Sequence, residues 1–236
     1  MQTTKGSVMP GAEPIGAPML DEAAQPLRQS VYEGLKRQLF TGRIAPGVGI
    51  STRGLALQLG VSQMPVRDAL GRLAAEGAVE IRSKRKIMVP MMTRARLEEI
   101  IHCRLLLEPA AAVDALPYID AVCLKAVRAA DAATDEALRI GDVNAYMESN
   151  FRFHSLIYRA SPMATLNSMI EMLWMQFGPF MRVVYGRFGT ANLVDQHVAA
   201  TDAIANGDAE RLRAAIAGDI SDGMNLIREA ELGLDG

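Results

Sequence analysis

The chain has 236 residues, of which half are apolar and 5% are aromatic, and its formal net charge is −2. This composition argues against a disordered chain, and no apolar run is long enough to span a membrane. The N-terminal residues contain no apolar stretch of signal-peptide length, and the two cysteines form no paired motif. A cytoplasmic protein with reduced thiols is therefore expected.

Charge is distributed unevenly along the sequence. Pro26 to Pro90 contains eleven Lys and Arg against four Asp and Glu, whereas Met91 to Gly236 contains thirteen against twenty. A compact basic segment followed by an acidic one indicates a nucleic-acid-binding module joined to a module with another role. Ordinary scatter of surface charge is the alternative.

The basic segment has the element order of a winged helix-turn-helix domain. Residues 1–24 combine Pro, Gly and Ser without periodicity and are expected to form a flexible tail. Residues 25–90 predict three helices followed by a two-stranded hairpin with a basic turn. The helices are expected at about 27–41, with Leu35 and Leu39 on one apolar stripe, at 52–59, closed by Gly60, and at 62–76, with Val66 and Leu73 facing inward. In such a domain the third helix enters the major groove of DNA.

The third helix begins in the stretch VSQMPVRDAL. Ser62 is expected to cap it by accepting a backbone N–H, and Pro65 fits its first turn, where a missing N–H costs little. Gln63 and Arg67, four residues apart, share a face near the end that is presented to base edges. Arg67 can bridge O6 and N7 of guanine, and Gln63 can pair with N6 and N7 of adenine. Double-stranded DNA is therefore the expected partner.

The acidic segment, residues 91–236, contains only helical patterns. They lie at about 93–115, 120–140, 142–160, 163–185, 190–206 and 208–231, and no repeat period links them. An antiparallel all-α bundle is expected rather than a solenoid. The whole chain is thus predicted to be mainly α.

Four polar residues of this bundle have a spacing that lets them converge. Asn150 and His154 are one helical turn apart, and Asp219 follows His197 by 22 residues across a glycine turn. Side chains on facing helices are the usual way in which bundles build metal sites. The alternative is that both histidines are hydrogen-bonded core residues.

The basic segment resembles a known family of bacterial regulators. PLRQSVYEGLKRQLFTGRIAPGVGIS, LALQLGVS and PVRDALGRLAAEGAV, with the basic wing, resemble the DNA-binding domain of GntR-type transcription regulators. Arg53 and Arg67 match the first and the last of the three arginines that contact DNA in that family, and Gln63 occupies the position of the middle one. The expected DNA-binding residues are Arg53, Ser62, Gln63, Met64, Arg67, Arg82, Lys84, Arg85 and Lys86.

The helical segment resembles the FCD ligand-binding domain of the FadR subfamily, through RLLLEPAAA, the FRFH turn and DQHVAATDAIANGDAERLRAAIAGDI. Metal-binding members hold a divalent ion with one Asp and three His, and the matching positions are Asn150, His154, His197 and Asp219. One interpretation is that the metal is lost and hydrogen bonds hold the ligand. The other is that the carboxylate has moved from position 150 to 219, so that zinc, manganese or nickel still binds.

The effectors of the resembled subfamily are commonly small organic acids or sugar acids. Arg104 and Arg182 interrupt apolar helical patterns, and a charge on such a face needs a partner. Arginine pairs bidentately with carboxylates, so Arg104, Asn150 and Arg182 are candidates for binding an effector of this class. Pairing of Arg104 with Glu108 and exposure of Arg182 are the alternatives.

The sequence as a whole predicts a homodimeric transcription repressor controlled by a small acid, with two winged helices on a near-palindromic operator. An enzyme is not expected, because no convincing nucleophile or general base accompanies the candidate ligands. Two other functions are consistent with the same residues. One is an architectural DNA-binding dimer without an effector, and the other is a metal-dependent helical enzyme fused to a DNA-binding domain.

Overall fold

The computed structural model describes residues 24–83, 86–188 and 196–229. Within these ranges, nine α-helices and a three-stranded sheet form a winged-helix head and a helical body. The helices are α1 (Ala24–Phe40), α2 (Thr52–Leu59), α3 (Gln63–Ala75), α4 (Arg94–Ala115), α5 (Ala121–Ile140), α6 (Val143–Tyr158), α7 (Ala164–Phe188), α8 (Gln196–Asn206) and α9 (Ala209–Glu229). The strands are β1 (Gly49–Ile50), β2 (Glu80–Ser83) and β3 (Lys86–Met88). A mainly α fold with a winged helix-turn-helix and a helical bundle is confirmed.

The apolar stripes that the periodicity predicts form the core of the head. Leu35 and Leu39 of α1 are fully buried, and α1 packs against α3, where Val66 and Leu73 are also fully buried. Gly60 ends α2 with a left-handed backbone (φ 67°), which glycine adopts without the steric penalty of other residues. The chain thereby turns sharply between α2 and α3, and the two helices pack against each other.

The start of the recognition helix differs from expectation in one respect. Ser62 has the extended backbone of an N-cap, but its hydroxyl makes no capping hydrogen bond. Pro65 occupies the third helical position, and its missing N–H removes one of the two donors that a capping hydroxyl would accept. Ser51 does cap α2, where its hydroxyl accepts the N–H of Gly54 at 3.1 Å.

The wing is a three-stranded sheet rather than a two-stranded hairpin. β3 lies in the middle and pairs antiparallel with both β1 and β2, with Gly49 opposite Met88 and Ile81 opposite Ile87. β1 contains two residues, too few for the alternating pattern that identifies a strand in a sequence. It anchors the wing to the segment between α1 and α2.

The body is a bundle in which α4 packs against α9, α5 against α6, and α8 against both α5 and α9. The predicted helices are all present, although several ends differ by a few residues. The predicted start of the α8 helix at residue 190 and the expected tail, apart from Ala24, lie outside the described residues. Among the described helices, none has the length and apolar character needed to cross a membrane.

Head and body meet where α1 lies against α7. A Cβ atom on Gly178 of α7 would lie 2.6 Å from the carbonyl oxygen of Leu39 and 2.7 Å from that of Phe40, so a larger residue would push the helices apart. Lys36 of α1 forms an ion pair of 2.6 Å with Glu171 of α7. The head therefore packs against α7, the same helix that forms one wall of the body's interior.

Candidate functional site

The face of α3 that the sequence assigns to DNA is open to solvent. Gln63, Met64 and Arg67 are exposed, while Val66 on the opposite face is fully buried. The side chains of Arg67 and Gln63 form no hydrogen bond or ion pair with any described residue, and Arg53 of α2 is exposed as well. These side chains are available to a ligand as large as duplex DNA.

The basic wing contributes further exposed and charged residues. Arg82 of β2 is exposed and forms an ion pair of 3.0 Å with Glu80. Lys86 is the first residue of β3, and Lys84 and Arg85 lie outside the described residues. Ser62 is exposed beside Gln63 at the start of α3.

Inside the body, the structure brings together three of the four candidate metal ligands. His154 of α6, His197 of α8 and Asp219 of α9 each offer a ligand atom, and these atoms lie within 4.8 Å of one another. The Nε2 atoms of His154 and His197 lie 3.2 Å and 3.7 Å from carboxylate oxygens of Asp219. Asn150 is buried and lines the cavity beside His154 and Asp219.

Hydrogen bonding indicates which nitrogen of His154 carries the proton. The Tyr158 hydroxyl donates to Glu108 at 2.9 Å, so it accepts the Nδ1–H of His154, which lies 3.2 Å away. The neutral ring then directs the lone pair of Nε2 toward Asp219. In the described part of the chain, Nε2 has no aligned hydrogen-bond partner although it is buried.

His197 is arranged in the same way by a residue outside the predicted ligand set. Its Nδ1 lies 3.0 Å from Oδ1 of Asp131 on α5, and Asp131 is only 8% exposed. A carboxylate accepts and does not donate, so Nδ1 carries the proton and Nε2 presents its lone pair. Asp131 has no motif in the sequence. Only the packing of α5 against α8, which was not predicted, identifies it.

Three acceptor groups therefore face one another across a small space: two imidazole lone pairs and a carboxylate. Such an arrangement is unfavourable unless a cation, either a metal ion or protons, lies between them. Two histidine nitrogens and a carboxylate oxygen form a ligand set used for zinc and related divalent ions, and the amide oxygen of Asn150 is a possible fourth donor. The residues present thus fit a divalent metal ion.

The surroundings of Asp219 favour its charged form. Burial opposes the charge, but a hydrogen bond from protonated His154, the positive charge of His154 and His197 when these rings are protonated, and the charge of Arg104 outweigh burial and lower the pKa to about 2. Asp219 is consequently an anion throughout the physiological pH range, as a metal ligand must be.

A second buried cluster adjoins the histidines. Arg104 and Glu108 of α4 form an ion pair inside the body, and Glu108 is fully buried. One carboxylate oxygen of Glu108 also accepts the Trp174 indole N–H at 3.2 Å and the Tyr158 hydroxyl at 2.9 Å. Arg104 is thus paired with Glu108, the arrangement that was the alternative to effector binding. Its side chain also lines the cavity.

Arg182 is not brought to this cavity. It lies at the junction of head and body, beside Gly42. A Cβ atom added to Gly42 would lie 2.5 Å from the Cβ atom of Arg182. Its Nη1 atom is buried and has no hydrogen-bond partner among the described residues.

The cavity enclosed by these groups is small, at about 10 Å³. It is lined by Arg104, Asn150, His154, Trp174, Met181, Tyr185, Asp219, Ile220, Gly223 and Met224. A volume of this size has room for one water molecule or an ion, and pockets for organic ligands are far larger.

Comparison with known proteins assigns the head and the body each to a known protein family. Residues 27–89 match the family described as bacterial regulatory proteins, gntR family, and residues 99–222 match the FCD domain. The HTH-type transcriptional regulator McbR of Escherichia coli (strain K12) is 33% identical over 167 residues, which are 71% of this chain and 76% of McbR. A solved structure described as E. coli McbR/YncC superimposes with a TM-score of 0.81 at 29% identity, covering 86% of this chain and 98% of that one.

A further relative is the probable D-xylose utilization operon transcriptional repressor of Paenarthrobacter nicotinovorans, 26% identical over 76% of this chain and 79% of that protein. The matched families and relatives are transcription regulators, in agreement with the expectation that the chain is not an enzyme. The winged-helix head, the helical body and these matches lead to one conclusion: the chain belongs to the gntR family of bacterial DNA-binding transcription regulators, and its body is an FCD domain of the FadR type.

Proposed function

We propose that this regulator is a homodimeric repressor whose operator affinity is set by a divalent metal ion and a small organic acid or sugar acid bound in the body. The observation that carries the proposal is the convergence of His154, His197 and Asp219, with their acceptor atoms within 4.8 Å of one another. A two-fold dimer presents two recognition helices, one to each half of a near-palindromic operator.

The metal completes the ligand-binding cavity. When bound, it supplies positive charge that attracts a carboxylate. Arg104 and Asn150 line the same cavity and are the proposed contacts for the acid. Because the cavity holds only about 10 Å³, binding of an acid requires side chains of α7 and α9 to move apart.

Contacts between rings connect this cavity to the head. Trp174 lies 5.3 Å from the His154 ring and 5.4 Å from the Phe151 ring, and Phe151 stacks on Phe40 of α1 at 4.3 Å between centroids. Movement of α7 would therefore change the position of α1 relative to the body and the spacing of the two heads on DNA. These contacts support a regulatory role for the cavity and give no support to an inert dimerisation domain.

Protein purified without a nickel column is expected to carry about one equivalent of divalent metal, because the ligand atoms are preformed. Elemental analysis measures this content, and His154→Ala, which removes one ligand, serves as the control. Less than a tenth of an equivalent in the unaltered protein would remove the metal from the proposal.

The same preparation is then screened against carboxylic and sugar acids by thermal shift, with operator binding followed by fluorescence anisotropy. An acid that stabilises the protein is expected to weaken operator binding, and operator DNA must weaken binding of the acid by the same factor. Absence of both effects across the series would favour the architectural DNA-binding dimer.

The identity of residue 63 is expected to determine one base step of each operator half-site. Gln63→Arg should shift preference at that step toward guanine by about 1–3 kcal/mol, since arginine bridges O6 and N7. Selection from a random DNA library measures the change. Gln58→Arg, which adds the same charge at an exposed position of α2, is the matched control. Unchanged base preference in the residue 63 variant would show that this side chain does not contact the bases.

A further inference from the structure

The buried contact between Asp131 and His197 has a role beyond holding α5 to α8. We propose that Asp131 is a positioning residue for the metal ion, which fixes both the orientation and the tautomer of the His197 ring. This inference rests on the proposed metal site. Asp131 itself is not a ligand, because the nitrogen that it contacts is Nδ1, whereas Nε2 of His197 faces Asp219.

Contacts with Phe153 and Asp131 orient the His197 ring. Phe153 stacks on it with centroids 3.8 Å apart and an interplanar angle of 14°, which sets the plane of the ring but not which edge faces the cavity. Asp131 selects the edge, since its Oδ1 lies 3.0 Å from Nδ1. Rotation of the ring by half a turn would exchange this nitrogen for carbon and direct a C–H group at Asp219.

The charge of Asp131 also sets the tautomer. A neutral imidazole has one N–H, and the carboxylate holds this proton at Nδ1. The lone pair of Nε2 is then available to coordinate a metal ion. A carboxylate in this position increases the basicity of the coordinating nitrogen, and loss of such a partner weakens metal binding by about 10- to 100-fold. His154 has an indirect counterpart in Glu108, which acts through Tyr158.

The test compares Asp131→Asn and Asp131→Ala with the unaltered protein. Asparagine keeps the size of the side chain and an acceptor oxygen but loses the charge, whereas alanine loses both. The dissociation constant for zinc, measured by competition with a chelator, is expected to rise about 10-fold in the first variant and about 100-fold in the second. Asp135→Asn changes an exposed acid one turn further along α5 and is the matched control, expected to leave zinc affinity unchanged.

A second measurement separates positioning from general stability. Long-range proton–nitrogen correlation spectra of the metal-free protein, labelled with nitrogen-15 histidine, report the tautomer of His197. The Nδ1–H form is expected in the unaltered protein, and a mixture of both tautomers is expected in Asp131→Ala. Loss of folding stability alone would not move this signal.

The outcomes distinguish this inference from the metal proposal on which it rests. If the unaltered protein binds no zinc, both fail. If it binds zinc and both Asp131 variants bind within twofold of the same affinity, only the role of Asp131 is overturned. A His197 ring protonated at Nε2 in the unaltered protein would overturn it as well.

Discussion

Replacement of Arg67 by alanine is expected to reduce operator binding to the level of non-specific DNA. The guanidinium is exposed on α3 and forms no hydrogen bond or ion pair with any described residue, so its removal leaves the head intact. A bidentate contact with guanine discriminates by about 1–3 kcal/mol. Because the proposed dimer uses one copy in each half-site, the loss in specific affinity is expected to lie between roughly 30-fold and twenty thousandfold.

Fluorescence anisotropy with operator and scrambled duplexes at one salt concentration measures this loss. Arg67→Lys is the informative companion, since lysine keeps the charge but not the planar fork of donors. It should retain the salt-dependent non-specific binding and lose most of the discrimination. Arg139→Ala, an exposed arginine of the body, should change neither. An Arg67→Ala protein that still prefers the operator to the scrambled duplex would place base recognition elsewhere on the head.

The features that could be predicted from the sequence are those set by local periodicity. The stripe of Leu35 and Leu39 and the glycine that ends α2 follow from spacing alone, and the structure has both. The approach of His197 to Asp219 was also accessible, because the spacing across one short turn determines which faces of α8 and α9 meet. That His154 joins them was implied by the resemblance to the FCD domain.

Other features depend on packing between distant segments, which spacing does not determine. Asp131 reaches His197 only because α5 packs against α8, and Glu108 reaches Trp174 across 66 positions of sequence. The missing cap at Ser62 shows a conflict between two local rules, since the proline that favours the first turn also removes a donor for the capping hydroxyl. Residues that orient ligands are therefore harder to find in a sequence than the ligands themselves.

Replacement of Glu108 by alanine is expected to destabilise the protein by about 3–5 kcal/mol, since it leaves the buried charge of Arg104 without its partner. The Arg104 side chain is only 3% exposed, so water does not replace the carboxylate. The Tyr158 hydroxyl and the Trp174 indole N–H lose their acceptor in the same step. For a chain of this size the midpoint of thermal unfolding should fall by roughly 6–20 °C.

The matched control is Glu136→Ala, which breaks the Arg139–Glu136 pair on the exposed side of α5. An exposed pair is screened by water and contributes little to stability. Both variants remove a carboxylate that pairs with an arginine, and they differ mainly in the burial of that pair. Urea denaturation of both proteins measures the difference in the free energy of unfolding. Equal losses would mean that Arg104 finds another acceptor when Glu108 is gone. The Glu108 anchor for Tyr158, and through it the orientation of His154, would then be dispensable for the site.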